Sequence, residues 1–187
     1  MSPRPISFPV EGLDDGVVRV RLMSDADLPA IVEAVQDPEI PRWTRVPTPY
    51  GEGDARQFQR SVTTGLAAGT DLAGLVVDAE TDGLLGAVGV HGIDPESGRC
   101  SAGYWVAAAA RGRGVAARAM RLVCAYAFEE LGVQRVELWI DPQNRASLGV
   151  AEAVGFTREG LLRSFMPIQG QRRDMLMYSL LPHELDS

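Results

Sequence analysis

Hydrophobic and polar residues alternate along several short stretches of the chain, which is the pattern of half-buried β-strands. In the first of these stretches Val18, Val20 and Leu22 fall on one face, while Arg19 and Arg21 fall on the other. The strands predicted in this way are residues 17–22, 71–77, 84–91, 99–106, 135–140, 156–165 and 174–181.

Other segments repeat hydrophobic residues every three or four positions, which is the spacing of an amphipathic helix. The clearest stripe consists of Met120, Cys124, Ala127 and Leu131. The segment 37–51 holds four prolines and is therefore predicted to be an irregular loop. Helices are predicted over residues 24–36, 53–68, 115–131 and 146–154.

The order of these elements predicts the fold class. Short turns at residues 81–83 and 94–98 join three consecutive strands, which indicates an antiparallel meander. A helix, a strand, another helix and a final hairpin with its turn at Gln169-Gly170 follow. We therefore expect a single domain over residues 1–187 of the α/β (α+β) class, with residues 1–14 as an irregular extension. Its mixed, mostly antiparallel sheet should hold about six to seven strands flanked by about four helices.

Composition and charge narrow the possible functions. The formal net charge of the 187 residues is -7, which argues against non-specific nucleic-acid binding. All 18 basic residues are arginine, which excludes a lysine Schiff base and a Walker-type phosphate loop. No apolar run reaches the ~20 residues of a membrane span, and the first residues lack the core of a signal peptide. We expect a cytoplasmic protein that does not contact a membrane.

Cysteine and histidine are too sparse to indicate a metal. Cys100 lies in a predicted strand and Cys124 in a predicted helix, so we interpret both as buried small apolar side chains rather than as a disulfide or a ligand pair. His91 and His183 are far apart in the chain, and neither has a ligand pattern nearby. No metal site is expected.

The segment from Arg111 to Ala116, with the sequence RGRGVA, lies between a strand and a helix. Such a turn exposes backbone N–H groups beside the positive end of a helix and can hold a pyrophosphate. Gly112 and Gly114 remove side chains that would keep a phosphate away from the backbone, although the spacing also suits an ordinary tight connection. A dinucleotide-binding unit fits less well, because Ala117 stands where its third glycine belongs and the preceding strands form a meander.

The same segment resembles the acetyltransferase pattern Arg/Gln-x-x-Gly-x-Gly/Ala, with Ala116 in the last place. The run from Ala102 to Leu181, which begins AGYWVAAAARGRGVAARAM and ends RRDMLMYSLL, resembles the GNAT superfamily of N-acetyltransferases. Within it, the run is similar to the branch of ribosomal-protein N-terminal (alanine/serine) acetyltransferases. A weaker likeness covers residues 17–50, where RWTRVPTPY resembles the acceptor-side loop of that branch. The resemblance implies a GNAT fold, whose central sheet splays apart beside the strand Tyr104–Val106, often with a bulge.

The resemblance also implies that acetyl-CoA binds in this opening. Pantetheine would bond the backbone of Trp105 and Val106, because a bulge leaves backbone groups free. Asn144 and Ser147 match an Asn-x-x-Ser pattern close to the coenzyme, although Asn144 is equally explained as a helix cap. The diphosphate would rest on the turn that consists of Arg111, Gly112, Arg113, Gly114, Val115 and Ala116.

Direct acetyl transfer requires a neutral amine, a polarised thioester carbonyl and a proton for the departing thiolate. The backbone N–H of Val106 is the candidate for polarising the carbonyl. Ser147 is the candidate for positioning or protonating the sulfur, and Tyr104 is the second candidate catalytic residue. The general base stays unassigned, because relatives often carry a glutamate in the final hairpin where this chain has Met166. The remaining candidates are Tyr104, Glu137 and Asp174.

A site without a strong base suits an α-amine, since deprotonation at pH 7 costs about 1.4 kcal/mol for a pKa near 8 but about 4.6 kcal/mol for a lysine. We therefore predict acetyl transfer from acetyl-CoA to a primary amine, above all to the N-terminus of a protein or peptide. Trp43 and Tyr50 are candidate acceptor-binding residues. Two alternatives stay open, namely a small-molecule acceptor such as an antibiotic or a polyamine, and a catalytically silent sensor of acyl-CoA. A monomer and a homodimer both fit the sequence.

Overall fold

One eight-stranded sheet organises the protein, of which a computed structural model describes residues 4–185. Its strands are β1 (Leu13–Asp14), β2 (Val18–Arg21), β3 (Asp71–Asp78), β4 (Leu84–Asp94), β5 (Arg99–Val106), β6 (Arg135–Ile140), β7 (Thr157–Ile168) and β8 (Gln171–Leu180). They lie in the order β1-β2-β3-β4-β5-β6-β8-β7, and only β5 and β6 pair in parallel. The helices are α1 (Leu28–Val35), α2 (Glu39–Trp43), α3 (Glu52–Ala68), α4 (Val115–Glu129) and α5 (Arg145–Val154).

The predicted fold class is confirmed, while the number of elements differs slightly. The structure has eight strands instead of six or seven, and the two residues of β1 are the addition. It has five α-helices instead of four, because α2 lies inside the segment for which the prolines predict an irregular loop. Pro38 is the N-cap of α2 and Pro41 lies in its first turn, where an N–H has no partner within the helix. The buried side chain of Ile40 holds this short helix against the core.

The N-terminal segment contacts the domain, and residues 4–12 hold no helix or strand, so the irregular extension expected over residues 1–14 differs from the structure only at residues 13–14. Leu13–Asp14 form β1 and pair with β2. Ile6 donates its N–H to the carbonyl oxygen of Leu66 at 2.8 Å, and the Tyr126 hydroxyl donates to the carbonyl oxygen of Ser7 at 2.9 Å. Residues 1–3 lie outside the described part of the chain.

The sheet separates two hydrophobic clusters, because successive side chains of a strand point to opposite faces. On one face α4 packs against even-numbered residues of β4 such as Val88 and Val90. On the other face α1 and α3 cover odd-numbered residues such as Leu75, Ala87 and Trp105. The face covered by α1 and α3 carries the larger of the two cavities described below.

The sheet opens between β5 and β6. The two strands pair only at three positions, the last of which joins Ser101 to Glu137. Beyond Ser101 the remaining residues of β5 pair with β4 alone, so the predicted opening of the sheet beside Tyr104 is confirmed. The bulge implied for this end of β5 is absent from the described residues, since the register of β4 and β5 shifts between His91 and Asp94 instead.

The C-terminal hairpin closes one side of the opening. At its tip the Gln169 side-chain amide donates to the carbonyl oxygens of Pro41 and Val46 at 3.2 and 2.9 Å. The register of β7 shifts between Leu162 and Met166, so the intervening residues bulge out of the ladder. The hairpin is therefore attached to the segment between α1 and α3 that carries the predicted acceptor-side residues.

Candidate active site

Two cavities lie beside β5 and meet at the opening of the sheet. The larger cavity has a volume of about 620 Å³ and lies against the odd-numbered face of β3 to β5. The smaller cavity has a volume of about 490 Å³ and extends to the N-terminus of α4. Six residues line both cavities, namely Trp43, Thr44, Tyr104, Trp105, Asn144 and Ser147.

The glycine-rich turn forms one wall of the smaller cavity. Gly112 and Gly114 have φ angles of 73° and 75°, in the left-handed region that favours glycine. A Cβ atom built on either glycine would touch nothing within 4 Å, so the backbone of the turn is open to the cavity. Gly114 is the N-cap of α4, whose first N–H groups have no partner within the helix. The arrangement suits a phosphate or another anion.

The structure brings almost all the predicted coenzyme residues to this smaller cavity. Arg113 is the exception, because it does not line the cavity. The residues that line it are Trp105, Val106, Arg111, Gly112, Gly114, Val115, Ala116, Asn144 and Ser147.

The arginines near the turn have partners within the protein. The Arg111 guanidinium lies 2.5 Å from Asp37 Oδ2, and its Nε donates to the carbonyl oxygen of Val106 at 3.2 Å. Arg118 pairs with Asp15 at 2.8 Å. An anion in the cavity would therefore have to compete with Asp37 and Asp15 for these two arginines.

The end of β5 offers alternate backbone groups to the opening. Ala107 donates its N–H to the carbonyl oxygen of Leu85 at 2.9 Å, so the N–H and C=O groups of odd-numbered residues here face β4. The backbone groups of Tyr104 and Val106 therefore point into the gap between β5 and β6. This corrects the expectation that the backbone of Trp105 contacts pantetheine. The side chain of Trp105 lines both cavities instead.

The two predicted catalytic side chains meet where the cavities join. The Tyr104 hydroxyl donates to Ser147 Oγ at 2.9 Å. Asn144 caps α5 by accepting the N–H of Ser147 at 3.1 Å, which fixes the serine at the start of the helix. Burial raises the pKa of Tyr104, and the hydrogen bond to Ser147 only partly opposes this, so the phenol is protonated at neutral pH. The Ser147 hydroxyl keeps its own proton for a further partner.

The predicted acceptor residues line the larger cavity. Trp43 donates its Nε1–H to Glu39 at 3.0 Å, which fixes the indole between the two cavities. Tyr50 lines only the larger cavity, and burial raises the pKa of its phenol. Met166 also lines the larger cavity, so an apolar side chain occupies the wall where relatives are expected to carry a glutamate.

Neither carboxylate considered as a general base lines the larger cavity. Glu137 is buried and pairs with Arg135 at 2.9 Å. Asp174 accepts the N–H of Ser164 at 2.7 Å on the exposed side of the hairpin. Two other aspartates line the cavity, namely Asp54 and Asp141.

Both lining aspartates have partners. Asp54 accepts the N–H of Gly51 at 2.9 Å, and Asp141 pairs with Arg173 at 3.0 Å. Both carboxylates are therefore already engaged within the protein, and an acceptor amine would have to compete with these partners for them.

A model of the acetyltransferase (GNAT) domain family matches residues 18–157, which is more than half of the chain. The chain belongs to this family. It is a GNAT acetyltransferase, and the transfer of an acetyl group is its activity.

Individual relatives of this acetyltransferase agree with the family. An uncharacterized N-acetyltransferase of Bacillus licheniformis, p20, is 29% identical over 166 residues, which are 88% of this chain and 93% of the relative. YdaF of Bacillus subtilis, named as a candidate ribosomal N-acetyltransferase, is 36% identical over 112 residues, or 60% of each chain. The structure of RimJ from Mycobacterium smegmatis in complex with CoA-disulfide has a TM-score of 0.83 at 24% identity, covering 100% of this chain and 93% of that one. The predicted resemblance to the ribosomal-protein branch is confirmed.

The structure adds residues to the acetyltransferase site that sequence reasoning missed. His91 lines the larger cavity, as do Gly89 and Gly103. Burial lowers the pKa of His91, although Asp71, whose Oδ1 lies 3.3 Å from its Nδ1, acts in the opposite direction. The alternation in β4 and β5 predicts which residues of each strand share a face. Which residues of the two strands lie side by side depends on their register, which the pattern does not give.

Three further observations bear on the predictions from composition. Cys100 and Cys124 are buried free cysteines, as interpreted from their positions. In residues 4–185, no group of three or more His, Cys, Asp or Glu side chains is arranged to hold a metal ion. None of the helices in that range combines the length and the hydrophobicity that crossing a membrane requires.

Proposed function

We propose that this acetyltransferase transfers the acetyl group of acetyl-CoA to the α-amine at the N-terminus of a protein or peptide. The observation that carries the proposal is the junction of the two cavities at the hydrogen-bonded pair Tyr104 and Ser147. A donor in the smaller cavity and an acceptor in the larger cavity meet at this pair. Holding two reactants in this way is the main requirement of direct transfer.

The donor occupies the smaller cavity. Its diphosphate rests on the N–H groups of the turn between Arg111 and Ala116, which Gly112 and Gly114 leave uncovered. Its pantetheine amides bond the backbone of Tyr104 and Val106, which faces the gap between β5 and β6. RimJ, the neighbour with CoA-disulfide bound, supports this placement through the shared fold.

The acetyl group reacts at the junction. The amine nitrogen forms a bond to the thioester carbon, and the N–H of Val106 stabilises the charge that develops on the oxygen. When the carbon–sulfur bond breaks, the Ser147 hydroxyl donates its proton to the thiolate, and Tyr104 donates a hydrogen bond to Ser147. The proton that the amine nitrogen loses returns to the Ser147 oxygen, so the serine is regenerated and the step balances without a redox partner.

An α-amine is the acceptor that best suits the groups around the junction. The two aspartates of the larger cavity are already hydrogen-bonded or ion-paired, and Met166 adds an apolar wall. Deprotonation at pH 7 then has to occur with little help, at a cost of about 1.4 kcal/mol for an α-amine against about 4.6 kcal/mol for a lysine. The likeness to YdaF favours the same class of acceptor.

Thiol release from acetyl-CoA tests the proposal directly. The panel contains peptides that begin with Ala, Ser or Thr, the same peptides with a blocked N-terminus, and spermidine and an aminoglycoside as small amines. We expect release with the free peptides and none with the blocked ones. Gly114→Glu should abolish release, whereas Gly170→Glu should not, because Gly170 has the same φ of 75° and open surroundings but lies at the hairpin tip.

Release with the small amines alone would replace the proposed acceptor by a small-molecule amine. Binding of acetyl-CoA without release across the panel would favour an acyl-CoA sensor. The absence of binding would contradict the assignment of the smaller cavity to the donor.

A further inference from the structure

A row of small residues crosses three strands on the floor of the larger cavity. Ala73 of β3 pairs with Gly89 of β4, which in turn pairs with Gly103 of β5, and all three line the cavity. A Cβ atom added at Gly103 would touch nothing within 4 Å, and its φ lies outside the left-handed region. The row is therefore open to the cavity at Gly103, and we refer to the space above it as the trough.

Along the direction of the strands, larger side chains lie on either side of this row and form the two ends of the trough. The end near the smaller cavity is Trp105, which lies beside the Tyr104–Ser147 pair where we place the thioester. The far end is the row of Asp71, His91 and Ser101, which are paired across the three strands. Since Trp105 and Ser101 are four residues apart on β5, the trough is about 14 Å long, at about 3.4 Å per residue.

The imidazole at the far end is held with one nitrogen free. Nδ1 of His91 lies 3.3 Å from Asp71 Oδ1, which also accepts the N–H of Gly92 at 3.2 Å. The contact with Asp71 uses Nδ1, which leaves Nε2 as the nitrogen for a ligand. A neutral imidazole that donates from Nδ1 to Asp71 has a lone pair on Nε2, and so it accepts a hydrogen bond from a ligand.

Arg45 acts against a second positive charge on the acceptor. It lines the same cavity, and its positive charge acts on His91. A second ammonium group, such as that of a polyamine, would be repelled by this guanidinium, whereas an uncharged backbone N–H would not. Asp71, Asp54 and Asp141 attract a cation instead, so turnover of spermidine against turnover of peptides decides between the two acceptors.

We infer that an acceptor peptide lies extended in the trough, with its first residue at Trp105 and its fourth residue at His91, where Nε2 accepts a backbone N–H. An extended chain covers about 3.3–3.6 Å per residue, so the three steps from the first residue to the fourth span about 10–11 Å, and a hydrogen bond of about 3 Å to Nε2 completes the length of the trough. The absence of a side chain at Gly103 lets the peptide lie close to the sheet. The inference rests on the proposed function and specifies how that function recognises its substrate.

A series of peptides from two to six residues tests the contact at His91. In the unaltered enzyme kcat/KM should rise up to the fourth residue and then stay level. His91→Ala should lower kcat/KM for the tetrapeptide roughly three- to tenfold, the value of one hydrogen bond, and leave the dipeptide unchanged. His91→Gln should restore part of the loss, because its amide oxygen is also an acceptor.

Gly103→Val tests the trough itself. The added side chain should raise KM for the peptide at least about tenfold and leave KM for acetyl-CoA unchanged. Gly160→Val is the matched control, because Gly160 also lies in a strand with open space around it but lines neither cavity. Gly103→Ala should give a smaller change of the same kind if the valine impairs folding.

Two results would overturn the inference in distinguishable ways. Acetylation of peptides that does not depend on length, on His91 or on Gly103 would overturn the inference alone. Turnover of spermidine with no turnover of any peptide would overturn the proposed acceptor and the inference with it.

Discussion

The two cavities of this acetyltransferase are built from different parts of the chain. The wall of the smaller cavity includes uncovered backbone, namely the turn around Gly112 and Gly114 and the free edge of β5. The wall of the larger cavity is made mostly of side chains, which come from α1, α3, the six strands β3 to β8 and the segment from Trp43 to Tyr50. Backbone groups suit a donor that does not vary, while side chains can be exchanged to select an acceptor. Substitutions in the smaller cavity should therefore impair the binding of acetyl-CoA, and substitutions in the larger cavity should impair the binding of the acceptor.

The largest effect should follow from Gly114→Glu. A side chain at a φ of 75° is strained by roughly 1–2 kcal/mol, and the new carboxylate lies where we place the diphosphate. We expect the affinity for acetyl-CoA to fall at least about a hundredfold, measured by calorimetry. Gly170→Glu has the same φ outside both cavities and should bind as the unaltered protein does. Equal losses in the two variants would show that strain, rather than the site, causes the effect.

The second-largest effect should be a loss of kcat on substitution of Ser147 or Tyr104, which lie where the two cavities join. Ser147→Ala should lower kcat about 10- to 100-fold and change the affinity for acetyl-CoA less than about threefold. Tyr104→Phe should lower kcat less, because its hydroxyl acts through Ser147. In the double variant, removal of the Tyr104 hydroxyl should cost nothing further. Additive losses would contradict a relay through Ser147.

The wall of the larger cavity should be sensitive to the loss of a single ion pair. Among residues 4–185, Arg173→Ala leaves the carboxylate of Asp141, which is 8% exposed, with the N–H of Gln143 as its one remaining partner. We expect the free energy of unfolding in urea to fall by about 1–3 kcal/mol. Arg163→Ala, at an exposed position of the same hairpin, should change it by less than about 0.5 kcal/mol. An unchanged stability in Arg173→Ala would mean that this wall does not depend on the pair.

The smallest effect lies outside both cavities. The guanidinium of Arg135 and the hydroxyl of Ser179 lower the pKa of Glu159 to about 2. The stabilisation is present above the usual glutamate pKa near 4.5 and is lost as the pH falls from there towards about 2. For this partly exposed pair we expect less than about 1 kcal/mol in unfolding experiments. Glu159→Gln should weaken the dependence of the unfolding free energy on pH and leave kcat unchanged. A change of kcat would contradict the position of Glu159 outside both cavities.

The strands could largely be predicted from the sequence, because their signal is local. Arg99–Val106 and Arg135–Ile140 begin and end where alternation predicts. The helix Glu39–Trp43 was missed, since its prolines fall in the first turn, where proline is tolerated. The pairing of Leu13–Asp14 depends on a partner strand and has no signal of its own at this length.

The candidate site was predictable for one cavity and not for the other. The turn from Arg111 to Ala116 is contiguous, so the residue types and their order suffice to predict an anion site. The trough depends on Gly89 lying opposite Gly103, and the contact between His91 and Asp71 depends on the same register. A shift of one residue would turn each of these side chains to the other face of the sheet. Sequence alone does not specify that register.

The affinity of a conjugate between CoA and the N-terminus of a tetrapeptide tests the central claim most directly, because one molecule then occupies both cavities. If the cavities meet at Ser147, the conjugate should bind at least about a hundredfold more tightly than CoA alone. Gly114→Glu should weaken the binding of both compounds, whereas Gly103→Val should weaken only the conjugate. A conjugate that binds no more tightly than CoA, or that is indifferent to Gly103→Val, would contradict the account.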